Sequence, residues 1–103
     1  MTSVALYLCP QTVASSLALA NDAFQAANLH AGREVFRLLK VSVDGAAVPS
    51  ALGSLSVDGD LAQAAQADIL LLPAIGARVD IALAQNQALL DWLRQPAPHQ
   101  QRA

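Results

Sequence analysis

A chain of 103 residues that is 54% hydrophobic and 14% charged is long enough for at most one packed domain, and its composition excludes a disordered segment. Its formal net charge of −2 is spread thinly, and the six basic residues (Arg33, Arg37, Lys40, Arg78, Arg94, Arg102) are scattered, which argues against direct contact with nucleic acid by this segment. No apolar run approaches the roughly 18 residues of a membrane span, and Met1-Thr2-Ser3 lacks a basic leader, so a cytoplasmic protein without membrane contact is expected.

Val4-Ala5-Leu6-Tyr7-Leu8 is a short apolar run closed by Cys9-Pro10. It predicts a buried first strand over 4–8, because proline cannot continue a hydrogen-bond ladder. The period then changes. Leu17, Ala20, Phe24, Ala27 and Ala31 recur at three and four, which predicts an amphipathic helix over 12–31, with Thr12 or Ser15 as its cap and Gly32 as a left-handed stop.

The β-branched, apolar stretch from Val35 to Val43 precedes Asp44-Gly45 and predicts a second strand with a turn. Strand, helix, strand in this order implies a parallel sheet. Ala47-Val48 and Leu55-Ser56-Val57 can pair as a small hairpin across Pro49 and Gly53. Asp60 opens an alanine-rich turn of helix to Ala67, a third strand follows over 69–72, and residues 80–95 predict a last helix stopped by Pro96. Residues 96–103 show no pattern and are expected to be an unstructured tail. The first three strands should lie in the order 2-1-3 with right-handed crossovers.

Few residues offer chemistry. Cys9 stands at the carboxyl end of a strand, where α/β proteins place functional groups, but a lone buried cysteine is ordinarily a small hydrophobe. It also leaves no partner for an internal disulfide or a cysteine zinc site. Ser15 and Ser16 near a helix start read first as caps. His30 suits the last turn of a helix, and His99 lies in the tail; neither has metal-ligand spacing. The glycines match no nucleotide-binding pattern, so neither a metal nor a cofactor is expected.

Four stretches in order carry a family resemblance: Asp22-Ala23-Phe24-Gln25-Ala26-Ala27-Asn28, Val41-Ser42-Val43-Asp44-Gly45-Ala46-Ala47-Val48, then Gly53, then Ala67-Asp68-Ile69-Leu70-Leu71-Leu72-Pro73. Together they resemble the N-terminal half of the ThiJ/PfpI (class I glutamine amidotransferase-like) domain, as in GlxA-type AraC-family transcription regulators. The resemblance spans about residues 4 to 95. It implies an α/β fold with a three-layer, flavodoxin-like parallel sheet flanked by helices, present as a half domain over residues 1–95.

Enzymes of that superfamily use a cysteine on a strand-to-helix elbow, supported by an acid from the first helix. Here Ser16 occupies the acid's place, Cys9 lies on the wrong strand, and Pro73-Ala74-Ile75-Gly76 departs from the family's glycine-rich oxyanion turn. The resemblance therefore implies a non-catalytic sensing or dimerising segment of a regulator, with Cys9, Ser16 and Gly76 near a ligand pocket, an unidentified small-molecule effector, and a homo-oligomer. The alternative is a fragment of a cysteine hydrolase or hydratase of the same fold.

Overall fold

The computed structural model describes residues 1–76 and 78–103. Its main sheet has four parallel strands in the order β2-β1-β5-β6, where β1 is Thr2–Tyr7, β2 is Phe36–Val41, β5 is Ile69–Leu71 and β6 is Gln101–Arg102. The expected order of the first three strands holds. The central strand explains why. Val4, Ala5 and Leu6 are fully buried, and alternate residues of β1 enter two separate cores.

On one face, Val4, Leu6 and Leu8 meet Ile69 and Leu71 of β5, Phe36 and Leu38 of β2, and Leu17, Ala20 and Phe24 of helix α1 (Ala14–Ala31). A hairpin of β3 (Val48–Ser50) and β4 (Gly53–Leu55) closes this layer, with Val48 opposite Leu55 as the sequence suggested. On the other face, Ala5, Tyr7, Cys9 and Leu70 meet Ala64 of α2 (Leu61–Ala64) and Leu89 of α4 (Gln87–Leu93), with Trp92 and Leu93 against them. The result is the expected three layers. The period of two along each strand sorts side chains between the two helical covers.

Local chemistry sets the boundaries. Gly32 takes φ 70° and ends α1 as a left-handed cap, returning its N–H to the Leu29 carbonyl. Neither Thr12 nor Ser15 caps the other end; Val13 holds that position with no side-chain bond. Asp60 and Gln63 form a reciprocal capping box, each satisfying a backbone N–H at the start of α2. Asn28, at the end of the first quoted stretch, accepts the N–H groups of Val35 and Phe36 through Oδ1 and donates to the Phe36 carbonyl. Its amide thus completes the outer edge of β2 where α1 turns into the strand.

Two expectations fail. The helix over 80–95 is broken at Asn86 into α3 (Val79–Gln85) and α4. Asn86 Nδ2 donates to the Ala82 carbonyl at 2.7 Å, and Gln87 Nε2 donates to the Leu83 carbonyl at 2.9 Å, so side-chain amides compete with the backbone ladder and bend the helix. Residues 96–103 are not an unstructured tail. Gln101 and Ala103 pair with β5 through Asp68 and Leu70, Gln100 donates to the carbonyls of Ala64 and Ala67, and the Arg102 guanidinium lies 5.0 Å from the Trp92 ring centre while donating to the Leu93 carbonyl. Free carbonyls at the end of α2 are what this segment satisfies, and the edge of β5 is covered by it.

Asp68 joins the starts of β1 and β5. Its Oδ2 accepts the Ser3 N–H at 2.9 Å and the Ser3 hydroxyl at 3.1 Å, and these bonds, the backbone one foremost, hold its carboxyl below the ordinary value of 3.8. A carboxylate with a lowered folded-state pKa contributes stability above its unfolded value and loses it as pH falls through the folded value. Urea titrations from neutral pH down to about pH 3 should show that loss below the ordinary carboxylate range, and Asp68→Asn should flatten this acid limb. An unchanged limb in the variant would show that the Ser3 bonds do not favour the charged form.

Candidate functional site

The carboxyl ends of β1 and β5 open onto one region, and two loops meet there. After β1, the Cys9 N–H donates to Thr12 Oγ1 at 3.0 Å, and Cys9 Sγ lies 3.6 Å from the same oxygen. The Thr12 N–H returns to the Cys9 carbonyl, closing a tight turn around Pro10. After β5, the segment Pro73–Gly76 runs antiparallel to residues 11–13. Val13 N–H donates to the Ala74 carbonyl, Gly76 N–H donates to the Gln11 carbonyl, and Thr12 bridges Ile75.

Ser16 completes the stitching from the first turn of α1: its hydroxyl accepts the Ala74 N–H at 3.0 Å. The serine is therefore a loop clasp rather than a helix cap. Of the three residues expected near a pocket, Cys9 lines a cavity, while Ser16 and Gly76 stand behind its wall and fix the loop that forms it.

That cavity has a volume of about 330 Å³ and lies between the ends of β1 and β5 and the α3–α4 pair. Its walls include Leu72 and Ile75 from the β5 side and Ala82, Leu83, Leu89 and Leu90 from the helices. Tyr7, Cys9, Thr12 and Asn86 supply the few polar atoms. Tyr7 donates from its hydroxyl to Asn86 Oδ1 at 2.8 Å, and Asn86 Nδ2 reaches both the Ala82 carbonyl and Gln11 Oε1. Gln11 continues to Gln85 Oε1 at 2.6 Å. Burial, aided by the nearby Cys9 and Asp44, raises the Tyr7 phenol far above its ordinary range, so it remains a proton donor to Asn86 throughout the neutral range.

Sequence reasoning identified Cys9 and missed Tyr7, Gln11 and Asn86. A signal was present for the last: Ala82, Asn86, Leu89, Leu90 and Leu93 share one helical face, and an amide within an apolar stripe requires a buried partner. The histidines stand apart. His99 bonds the Ala65 carbonyl at 3.0 Å, and His30 is exposed at the end of α1. Among the described residues no cluster of His, Cys, Asp and Glu could hold a metal ion, and no helix is long and apolar enough to cross a membrane. A larger groove of about 810 Å³ beside α1 and β2 is open and has Arg33, Glu34 and Arg37 in its walls.

No protein-family profile and no curated protein sequence matches the chain. Solved structures do. A candidate transcriptional regulator from Vibrio parahaemolyticus superposes with a TM-score of 0.73 at 18% identity, over 90% of this chain and 49% of that one. An AraC family transcriptional regulator from Pseudomonas putida matches with 0.61 at 26% identity, over 86% and 60%. A DJ-1 superfamily protein from Agrobacterium tumefaciens matches with 0.60 at 20% identity, over 91% and 48%. The chain spans about half the length of the first and third of these. It therefore has the fold of half a DJ-1/ThiJ/PfpI-type α/β domain, and AraC-family regulators are among the proteins that share it.

Replacing Ser16 by Ala should leave the fold intact and cost about 1 kcal/mol, the net worth of one hydrogen bond. Amide exchange at Ala74 should quicken while the strands stay protected. Equal loss of protection throughout the sheet would show that Ser16 supports the whole fold rather than this loop.

Proposed function

We propose that the chain is a non-catalytic, ligand-sensing segment of an AraC-type transcription regulator, and that it works as an oligomer. The observation that carries this reading is the state of the groups an enzyme would need. Cys9 is buried and closed into a turn with Thr12; Ser16 is bonded to Ala74; and the N–H groups of Ala74 and Gly76 are used in stitching two loops. A nucleophile needs an adjacent base, and an oxyanion needs free donors. What remains at the strand ends is an apolar cavity, the usual form of a small-molecule site.

The regulator from Pseudomonas putida, at 26% identity, supports the regulatory side of the reading. The DJ-1 superfamily likeness favours a second one, a fragment of a cysteine hydrolase or hydratase. Turnover separates them. The purified chain should show no esterase, deglycase or hydratase activity above background, and Cys9→Ser should change nothing; a Cys9-dependent rate would favour the second reading.

Self-association has its own support. Leu72, Ile75, Val79 and Leu83 are 37%, 39%, 49% and 49% exposed, and three of them belong to the cavity wall. Such a group of apolar residues at one mouth is a contact surface. Sedimentation over a concentration series should show mass rising with concentration, and Leu83→Glu should hold the chain monomeric. A folded monomer at every concentration would exclude self-association.

A further inference from the structure

The cavity is selective by what its walls lack. Its Tyr7, Thr12 and Asn86 side chains are already engaged with one another or with the backbone, and among the described residues no buried side-chain nitrogen or oxygen is left without a partner. Among the described residues no charged side chain belongs to its lining. A charged ligand entering there would lose its water and find no counter-charge, which is costly in an apolar site. A neutral apolar one would lose nothing and cover Leu72, Leu83 and Leu89. For scale, an engineered apolar cavity of about 150 Å³ holds benzene, and this one is about 330 Å³.

The same geometry supplies a way in. Helix α3 forms one wall, yet Ala82 is its one buried residue, and Val79 and Leu83 are half exposed. Among the described residues, its side-chain ties to the β1 side gather at the C-terminal end, through Gln85 to Gln11 and through Asn86 to Tyr7 and Gln11. Asn86 sits at φ −114°, ψ 31°, off the helical path. Among the described residues the Leu83 carbonyl takes the Gln87 side-chain amide and no backbone N–H, so bending there breaks less than bending within an intact helix. In the monomer, moving α3 uncovers little apolar surface.

We propose that this cavity binds an uncharged, predominantly apolar molecule of one or two rings, and that α3, swinging about a hinge at Asn86 that the Tyr7 hydroxyl steadies, is the door that admits it. The proposal rests on the sensing reading above and adds the ligand's class and its route.

The test uses the whole chain, labelled at its leucine methyl groups, with toluene and benzoate as probes of similar shape and different charge. Toluene should shift the methyl signals of Leu72, Leu83 and Leu89 saturably, and benzoate should leave them unmoved. Tyr7→Phe keeps the ring and removes the bond that steadies the hinge. It should speed amide exchange in α3 by about fivefold to tenfold, the equivalent of one lost hydrogen bond, with α1 and β1 unchanged. A merely structural Tyr7 would speed exchange everywhere. Benzoate binding as well as toluene, or unchanged α3 exchange in the variant, would overturn the proposal and leave the sensing reading standing. Binding of neither probe, with every signal unmoved, would overturn both.

Discussion

Burial of β1 on both faces is the constraint from which the rest of the molecule follows. A strand whose Val4, Ala5 and Leu6 have no contact with solvent must have a neighbour on each edge and a cover on each side. β2 and β5 supply the edges, each in parallel register with it. Parallel neighbours require crossovers, and the crossovers become the covers: α1 on one face, α2 on the other. The layers part at the strand's carboxyl end, and the cavity lies there.

The two covers are unequal. Helix α1 is 18 residues long and has no fully buried residue; Leu17, Ala20 and Phe24 touch the sheet, and Phe24 meets Phe36 edge-on at 4.9 Å. The opposite cover is assembled from shorter pieces that enclose Ala64, Ala67 and Leu89 more completely. Here the polar network of Tyr7, Asn86 and Gln11 is embedded, and among the described residues no buried side-chain nitrogen or oxygen lacks a partner. A satisfied buried network orients its helices more sharply than apolar contact alone.

How much of this could be read from residues depended on the range of the forces involved. Strands β1 and β5 and helix α1 were legible because their periods are local properties of the chain. The break at Asn86 was not, because the partner that makes an amide tolerable there is Tyr7, 79 positions away in the chain. Strand β6 was illegible for another reason: two residues have no period, and what places Gln101 and Arg102 is the demand of the carbonyls of Asp68, Leu70 and α2 for donors. At the candidate site, Cys9 announced itself by following a strand. Ser16 was marked out, yet its service to Ala74, 58 positions on, could only be seen in three dimensions.

The side-chain treatment of the outer edge of β2 gives the sheet a direction. Asn28 fills the main-chain groups of Phe36, and Asp58 accepts the Lys40 N–H while its own N–H takes the Lys40 carbonyl. One amide and one loop stand in for an absent strand on either side of Leu38, and an intruding chain would have to displace both before it could zip on. At the opposite margin, β6 bears no such imitation among the described residues: Gln101 and Ala103 turn their amides inward to β5, and the alternation of the ladder turns those of Arg102 outward. The sheet is thus finished on one flank and receptive on the other, so that lengthening it is a one-sided operation.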